Sequence, residues 1–305
     1  MRVFPANSRV CFIGDSITHN NGFVSYIAAF YHEHYKERKV SFYNCGVSGG
    51  QIRTALPIFD RDVLAYKPTH AVVMFGMNDS CSKLLEFPRN MERYAKLVSA
   101  YESYKQNLAE LCRRLSENKV EIILCTPTPY DEYQDIDTPA LRGGYALLAG
   151  YAQYVRQYAV DNNYDICDFF NFFSREIHRE SLIRADRVHP NEKGQFMLAK
   201  CFLDFQGLNL GTYKPLPQYM EKWRENVLAY RNLWAAERLI IDRYDLAENE
   251  QISIIEEYLK ENANNKEKQY VVNLAIDYIK NKQRQNEINQ AIISQMEVEF
   301  KKQGS

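Results

Sequence analysis

The first residue in this sequence that could do chemistry is a serine. Ser16 lies in the segment Gly-Asp-Ser-Ile-Thr (residues 14–18), directly after an apolar run that predicts a buried strand. Its hydroxyl would therefore stand on a turn that leads into a helix, where a nucleophile is useful. Gly-Asp-Ser is also ordinary turn and helix-capping sequence, and Asp15 is expected to support this loop. The motif predicts a nucleophile only if suitable partners occur elsewhere.

A carboxylate and an imidazole provide such partners far along the chain. Asp186 and His189 are three residues apart in Asp-Arg-Val-His-Pro, just before a predicted helix. This spacing lets the carboxylate hold one ring nitrogen while the other nitrogen faces the nucleophile. Pro190 and Asn191 would start the helix and fix the loop. Ser16, His189 and Asp186 therefore have the chemistry of a catalytic triad.

Two further segments offer donors that could stabilise a negatively charged oxygen. Residues 44–50 (Asn-Cys-Gly-Val-Ser-Gly-Gly) and residues 76–79 (Gly-Met-Asn-Asp) each follow a predicted strand. A glycine at such a position can leave its backbone N–H free, and the amide of Asn78 can donate from the side. These are the components of an oxyanion hole.

The elements that would position these residues alternate along the first two thirds of the chain. Short apolar runs typical of buried parallel strands are separated by segments of helical period, which predicts repeated right-handed βαβ units and a three-layer α/β class. The predicted strands are residues 9–13, 40–44, 70–75, 120–125 and 164–167, and the predicted helices between them are residues 23–35, 52–64, 94–115 and 145–159. In such sheets ligands bind beyond the carboxyl ends of the strands, where all the candidate residues lie.

The alternation of strand and helix patterns ends in a loop around residues 207–217, and no strand-like run follows it. Apolar residues then recur at helical spacing, first at Met220, Trp223, Val227, Tyr230 and Trp234, and later at Ile252, Ile255, Leu259, Ile288, Ile292 and Met296. These amphipathic faces could pack on the α/β part, on one another or on a second subunit. A homodimer through the C-terminal helices is one of these alternatives.

Composition excludes several classes of function. The 305 residues carry 38 basic and 39 acidic side chains, and this formal net charge of -1 argues against recruitment of nucleic acid or an anionic membrane. No segment has transmembrane length or the form of a signal peptide. The seven cysteines are an odd number without Cys-x-x-Cys spacing, as expected of reduced thiols. These features favour a cytoplasmic protein with a small, neutral substrate.

Taken together, Gly-Asp-Ser, the glycine after the second strand, Gly-x-Asn-Asp and Asp-x-x-His-Pro resemble the signature blocks of the SGNH/GDSL hydrolase family over residues 9–205. The resemblance implies a flavodoxin-like α/β/α fold with a five-stranded parallel sheet, and esterase activity without a metal or cofactor. It assigns Ser16 as nucleophile, His189 as general base and Asp186 as its orienter. The backbone N–H groups of Ser16 and Gly49, with the Asn78 side chain, would form the oxyanion hole; Gly49 is chosen there over Gly46 and Gly50.

On this interpretation, residues 1–209 form the hydrolase domain and residues 210–305 a helical extension. The expected substrate is a small or carbohydrate-borne acyl ester, and the expected acyl group is acetyl. A lysophospholipase or thioesterase is the alternative enzyme, and it would need an apolar acyl channel. An inactive scaffold that dimerises through its helical tail is a third alternative.

A second serine competes for the role of nucleophile. Residues 46–50 match Gly-x-Ser-x-Gly, the nucleophile elbow of α/β-hydrolases, with Ser48 at its centre. That fold normally places its elbow later in the sheet than the second strand, which favours Ser16. Asp186 and His189 cannot separate the two serines, because either would need them.

Overall fold

The computed structural model describes residues 3–177 and 180–241, together with single positions between 253 and 273. The chain forms two compact units, Met1–Leu216 and Pro217–Ser305. The proposed domain boundary between residues 209 and 210 stays a prediction.

The first unit is built on a five-stranded sheet in which every strand is parallel. Its strands are β1 (Arg9–Gly14), β2 (Ser41–Gly46), β3 (His70–Met74), β4 (Glu121–Cys125) and β5 (Asp165–Cys167). Their order across the sheet is β2-β1-β3-β4-β5. The order reverses between β1 and β3, and this switch point is where an open α/β sheet opens a crevice for a ligand.

Helices cover the sheet on both faces. They are α1 (Ser16–His19), α2 (Gly22–His34), α3 (Ile52–Ala55), α4 (Phe59–Asp62), α5 (Met91–Glu117), α6 (Gly144–Asp161), α7 (Phe169–Glu176) and α8 (Glu192–Phe205). Side chains alternate between the faces of a strand, so Cys11 and Ile13 join the core beneath α5 and α6, whereas Phe12 packs against Phe23 of α2 and Phe202 of α8. The predicted three-layer α/β class with a five-stranded parallel sheet is confirmed.

One predicted helix has a different form. Residues 52–64 were expected to form a single helix, but they form the short helices α3 and α4 separated by a 3-10 turn, Leu56–Ile58. Pro57 lies inside this turn, and proline has no N–H for the hydrogen bond that a continuous α-helix would need there. The α-helical hydrogen bonding is therefore interrupted after only one turn.

The second unit contributes one long described helix, α9 (Gln218–Ile241). It contains the first predicted amphipathic series, from Met220 to Trp234, as expected. The later series, from Ile252 to Met296, lies outside the described residues. Within the described part of the chain, no helix combines the length and the hydropathy that a membrane span requires.

Candidate active site

Ser16 is placed by the sharp turn between β1 and α1. Asp15 caps α1 with its side chain, which accepts a hydrogen bond from the N–H of Ile17 at 3.0 Å. A side chain at Gly14 would come within 2.7 Å of the carbonyl oxygen of Met74 on the neighbouring strand. The turn can therefore pass this close to β3 only with glycine before Asp15.

Asn44 fixes the far side of the same turn from the neighbouring strand β2. Its side-chain amide donates to the carbonyl oxygen of Thr18 at 2.8 Å and to the side-chain oxygen of Asn21 at 3.0 Å. Its side-chain oxygen accepts from the N–H of Gly46 at 2.8 Å. Asn44 is buried, so these bonds connect the Ser16 turn rigidly to the loop after β2.

The loop that carries Asp186 and His189 is closed at its base. A bridge pairs Ile183 with Pro190, and the N–H of Arg184 donates to the carbonyl oxygen of His189 at 2.8 Å. Asn191 caps α8 through the N–H of Gly194, as its position before the predicted helix suggested. The imidazole is thus held at the end of a short, closed loop.

The structure brings the three predicted triad residues into one hydrogen-bonded row. The Ser16 Oγ lies 2.8 Å from His189 Nε2, and His189 Nδ1 lies 2.8 Å from Asp186 Oδ2. An ionised carboxylate can only accept, so Nδ1 carries the proton and donates to Asp186. The unprotonated Nε2 then accepts from the Ser16 hydroxyl, which is the arrangement a general base requires.

Asp186 is held in its ionised form by its surroundings. Partial burial acts to raise its pKa, but the N–H groups of His189 and Val188 and the His189 ring all donate to the carboxylate. These bonds outweigh burial and keep the pKa of Asp186 below its usual value. The carboxylate is consequently available at neutral pH to stabilise a protonated imidazole.

Gly49 stands in a tight turn that leaves its N–H free. The N–H of Gly50 donates to the carbonyl oxygen of Val47 at 2.9 Å, which makes Ser48 and Gly49 the central residues of the turn. Gly49 has φ +69°, as the third position of a type II turn requires. Gly46 donates to Asn44 and Gly50 to Val47, whereas no hydrogen bond within the described residues uses the N–H of Gly49.

Asn78 is anchored by one of its two amide hydrogens. Its Nδ2 donates to the carbonyl oxygen of Gly50 at 3.0 Å, and Gln51 Nε2 donates to the Asn78 carbonyl oxygen at 2.8 Å. The second N–H of the Asn78 amide has no partner in the described part of the chain. Ser16, the first residue of α1, likewise has no partner there for its backbone N–H. Three donors of the oxyanion-hole type therefore remain free.

The competing serine is not connected to the histidine. Ser48 is exposed in the turn after β2 and makes no hydrogen bond to His189, whose Nε2 is occupied by Ser16. His19, close behind Ser16, faces the carbonyl oxygen of Gly46 through its Nδ1 at 3.4 Å. The geometry favours Ser16 over Ser48.

Two buried carboxyl groups lie beneath the site. Burial raises the pKa of Asp15 to about 7, and the nearby Asp79 adds to the shift. Burial also raises the pKa of Asp79 to about 6, although the N–H of Ile52 donates to its Oδ1 at 3.0 Å. The Oδ2 atom of Asp79 has no hydrogen-bond partner among the described residues. Neutral forms of these groups are therefore favoured below about pH 6.

This pair predicts a pH-dependent stability. Folded Asp15 keeps its proton up to about pH 7, whereas the unfolded chain releases it near 3.8. The folded state binds more protons in this window, so the free energy of unfolding falls as pH rises from about 4 to 7. We expect Asp15→Asn to make this fall shallower, as measured by the urea midpoint at each pH. The exposed Asp60→Asn serves as control, and an unchanged slope in Asp15→Asn would contradict the assignment.

A cleft of about 570 Å³ opens beside the row of three. Its lining includes Asn78 and Asp186, so it adjoins one of the three free donors and one member of the row. We name it the Asn78 cleft. Its other walls carry mainly apolar side chains, which include Phe87, Tyr130, Leu141 and Val188.

Sequence reasoning missed two residues that organise this region. Asn44 begins the segment 44–50, and its place at the end of a predicted strand is the signal that the sequence offers. Arg187, between Asp186 and His189, is buried and bonded to a segment about 50 residues earlier in the chain. Nothing in the local sequence signals that contact.

Most of the first unit is similar to a known family of hydrolases. The sequence profile of the GDSL-like lipase/acylhydrolase family matches residues 12–195, which include Ser16, Gly49, Asn78, Asp186 and His189. The chain belongs to this family. It is accordingly a carboxylic ester hydrolase of the SGNH type, and its reaction is acyl ester hydrolysis.

The chain is similar to acetylxylan esterase both in sequence and in structure. The chain is 28% identical over 216 residues to an acetylxylan esterase of Geobacillus stearothermophilus, which covers 65% of this chain and 93% of that protein. A crystal structure of an acetylxylan esterase from the same organism has a TM-score of 0.58 at 24% identity, covering 70% of this chain and all of the other.

Another structural neighbour is a larger protein. A gut microbial diltiazem-metabolizing enzyme has a TM-score of 0.63 at 24% identity over 68% of this chain. This chain spans about half of that enzyme's length, 48%. At 24% identity, both structural comparisons show similarity of fold only.

Proposed function

We propose that this protein is a serine esterase that removes acetyl groups from carbohydrates through an acyl-enzyme intermediate. Ser16 is the nucleophile, His189 the general base and then acid, and Asp186 the residue that orients it. The observation that carries the proposal is the continuous row from Ser16 Oγ to His189 Nε2 and from His189 Nδ1 to Asp186 Oδ2, with 2.8 Å at each step.

The reaction follows from this geometry. Ser16 Oγ attacks the ester carbonyl carbon while its proton passes to His189 Nε2, and the former carbonyl oxygen becomes an oxyanion. The N–H groups of Ser16 and Gly49 and the free N–H of the Asn78 amide stabilise that charge. Collapse breaks the bond to the alcohol oxygen, which takes the proton from His189. Water then attacks the acyl-Ser16 ester by the same steps and releases the acid.

Acetylated carbohydrate is the substrate class with the best support. The named relative is an acetylxylan esterase, and one structural neighbour is described as an acetyl-xylooligosaccharide esterase. Serine, aspartate and histidine variants of that enzyme are described as catalytic mutants, and these three residue types are those of the proposed triad. An acetyl group needs little space, so the Asn78 cleft remains for the alcohol part of the ester.

The substrate proposal is tested by comparing acyl and alcohol groups separately. p-Nitrophenyl acetate, butyrate and octanoate report the acyl preference, and acetylated xylooligosaccharides report the alcohol preference through acetate release. We expect kcat/KM to fall with acyl length and acetate to be released from the saccharide. A preference for octanoate would support the lysophospholipase or thioesterase alternative, and an inactive wild type would support the scaffold alternative.

The proposed oxyanion hole makes a separate prediction. Asn78→Ala removes one donor to the charged oxygen, and loss of one such donor typically lowers kcat by about 10²–10³-fold. We expect the loss to appear in kcat with p-nitrophenyl acetate, while KM changes far less. Asn171→Ala on the exposed side of α7 is the matched control. A kcat within a few-fold of wild type in Asn78→Ala would remove this residue from the oxyanion hole.

The cysteines support a cytoplasmic location. All seven are free thiols and six of them are buried, as expected in a reducing environment.

The C-terminal helices could form a homodimer. Dimerisation through these helices is testable by comparing the solution mass of the full chain with that of a chain ending at Leu216. Two monomeric species would disprove it.

Among the described residues no group of three or more His, Cys, Asp or Glu is arranged to hold a metal ion.

A further inference from the structure

Arg187 occupies an unusual position for an arginine. It lies within the loop that carries Asp186 and His189, yet its side chain is buried, with 4% of its surface exposed. Its backbone has φ +65°, a conformation that side-chain-bearing residues seldom adopt. The chain therefore keeps a large charged residue at a backbone position where glycine fits most easily.

The guanidinium group of Arg187 uses all of its five N–H donors. Nε and one Nη2 hydrogen donate to the carbonyl oxygen of Thr138, at 2.9 and 2.6 Å. The other Nη2 hydrogen donates to the carbonyl oxygen of Ile136 at 3.3 Å. The two Nη1 hydrogens donate to the carbonyl oxygens of Asp131 and Gln134 at 3.0 and 2.9 Å. Four carbonyl groups of one segment, residues 131–138, thus converge on a single side chain.

Only a planar fork can make this set of contacts. A lysine ammonium has three donors on one atom and cannot reach four carbonyl groups spread along a loop. The backbone of Arg187 strengthens the connection, because its carbonyl oxygen accepts from the N–H of Asp131 at 3.0 Å. Further along, Gln134 Nε2 donates to Ser181 Oγ at 2.7 Å. Residues 131–138 are therefore held to the loop of the proposed triad.

The same segment leads into a wall of the Asn78 cleft. Tyr130, Thr138 and Leu141 line the cleft on one side, and Asp186 and Val188 line it beside Arg187. The Tyr130 hydroxyl accepts from the N–H of Leu141 at 3.0 Å, which closes the segment on itself. Release of the guanidinium contacts would let this wall move while the Ser16–His189 row kept its own bonds.

We propose that Arg187 is a positioning residue. By fixing residues 131–138 it holds in place Tyr130, Thr138 and Leu141, the wall of the Asn78 cleft that selects the alcohol part of the ester. This inference rests on the proposed function, because it takes the cleft to hold the alcohol. Arg187 does not touch the reacting atoms. It acts on KM for esters whose alcohol is large enough to reach the wall.

The test compares two substrates in variants of Arg187. Arg187→Gly removes the guanidinium group and suits the positive φ, and Arg187→Lys keeps the charge without the fork. Acetylated xylooligosaccharide has an alcohol that fills the cleft, whereas methyl acetate, followed by acid release, has one too small to reach the wall. Arg184→Ala, on the exposed part of the same loop, is the control.

We expect Arg187→Gly to raise KM for the oligosaccharide by about tenfold or more, since small misplacements of a positioning group have effects of this size. Arg187→Lys should also raise KM for the oligosaccharide. In both variants, kcat for methyl acetate should stay within about threefold of wild type. Hydrogen exchange of residues 131–138 should also accelerate, while that of α5 stays unchanged.

Two results would overturn the inference. KM for the oligosaccharide equal to wild type in both variants would show that the wall does not depend on Arg187. An equal loss of kcat on both substrates would show that Arg187 serves the triad loop and not the cleft. If Arg187→Gly does not fold, Arg187→Lys gives the same readout. Failure of the proposed function is distinguishable, because it would appear in the wild type as no acetate release from the saccharide, or as Ser16→Ala keeping the activity of the wild type.

Discussion

Ser16→Ala is expected to lower kcat for p-nitrophenyl acetate by about 10⁴-fold or more, because loss of a triad nucleophile leaves only the binding site and the oxyanion hole. Ser16 Oγ is the hydroxyl that lies 2.8 Å from His189 Nε2. The measurement is steady-state hydrolysis by the full chain, with circular dichroism to check that the variant folds.

Ser48→Ala is the matched control for this result. Ser48 sits in the Gly-x-Ser-x-Gly segment after β2, is exposed and makes no hydrogen bond to the histidine. Its kcat should remain within about threefold of wild type, the range expected for a surface substitution. The assignment is wrong if Ser48→Ala is inactive while Ser16→Ala retains activity.

The second large effect is expected at Asp186. Asp186→Asn should lower kcat by about 10⁴-fold, because the asparagine amide can donate to His189 Nδ1 and so stabilise the tautomer whose Nε2 carries a proton. That Nε2 can no longer accept the proton of Ser16. The same ester assay measures the effect, with KM close to that of wild type.

Asp60→Asn provides the control for this substitution, since Asp60 is exposed on α4. Asp186→Asn with more than a tenth of wild-type kcat would mean that the carboxylate neither orients nor stabilises the imidazole. Circular dichroism and the urea midpoint distinguish a variant that does not fold from one that folds but has lost catalysis.

The fold was largely predictable because its signals are local. The central strands β1 and β3 are buried on both faces and read as short apolar runs. Every observed strand lies within two residues of its predicted bounds. The helices α2, α5 and α6 likewise follow from their period. The prediction was wrong for residues 52–64, where the apolar spacing continued through Pro57 although the backbone could not.

The candidate catalytic residues could be predicted from the sequence, but the contacts that hold them in place could not. Ser16, Asn78 and the Asp186–His189 pair each follow a strand end or precede a helix, so their residue types and order were enough to name them. The resemblance chose Gly49 over Gly46 and Gly50, and the structure adds a physical reason. The N–H groups of Gly46 and Gly50 are bonded, whereas no hydrogen bond within the described residues uses that of Gly49.

Other features of the site escaped prediction because they depend on polar contacts between residues distant in sequence. Arg187 bonds to carbonyl groups of residues 131–138, and carbonyl groups are present on every residue whatever its side chain. No pattern of residue types can therefore reveal this contact. The raised pKa of Asp15 arises in the same way, from burial beneath elements distant in sequence.

The central claim is that Ser16 is the nucleophile, and covalent labelling with diisopropyl fluorophosphate tests it most directly. Trypsin places Ser16 in the peptide of residues 10–36 and Ser48 in that of residues 40–53, so mass spectrometry separates the two serines. We predict one adduct on the first peptide, assigned to Ser16 by fragment ions and absent in Ser16→Ala. An adduct on Ser48, with Ser16 unmodified, would contradict the account.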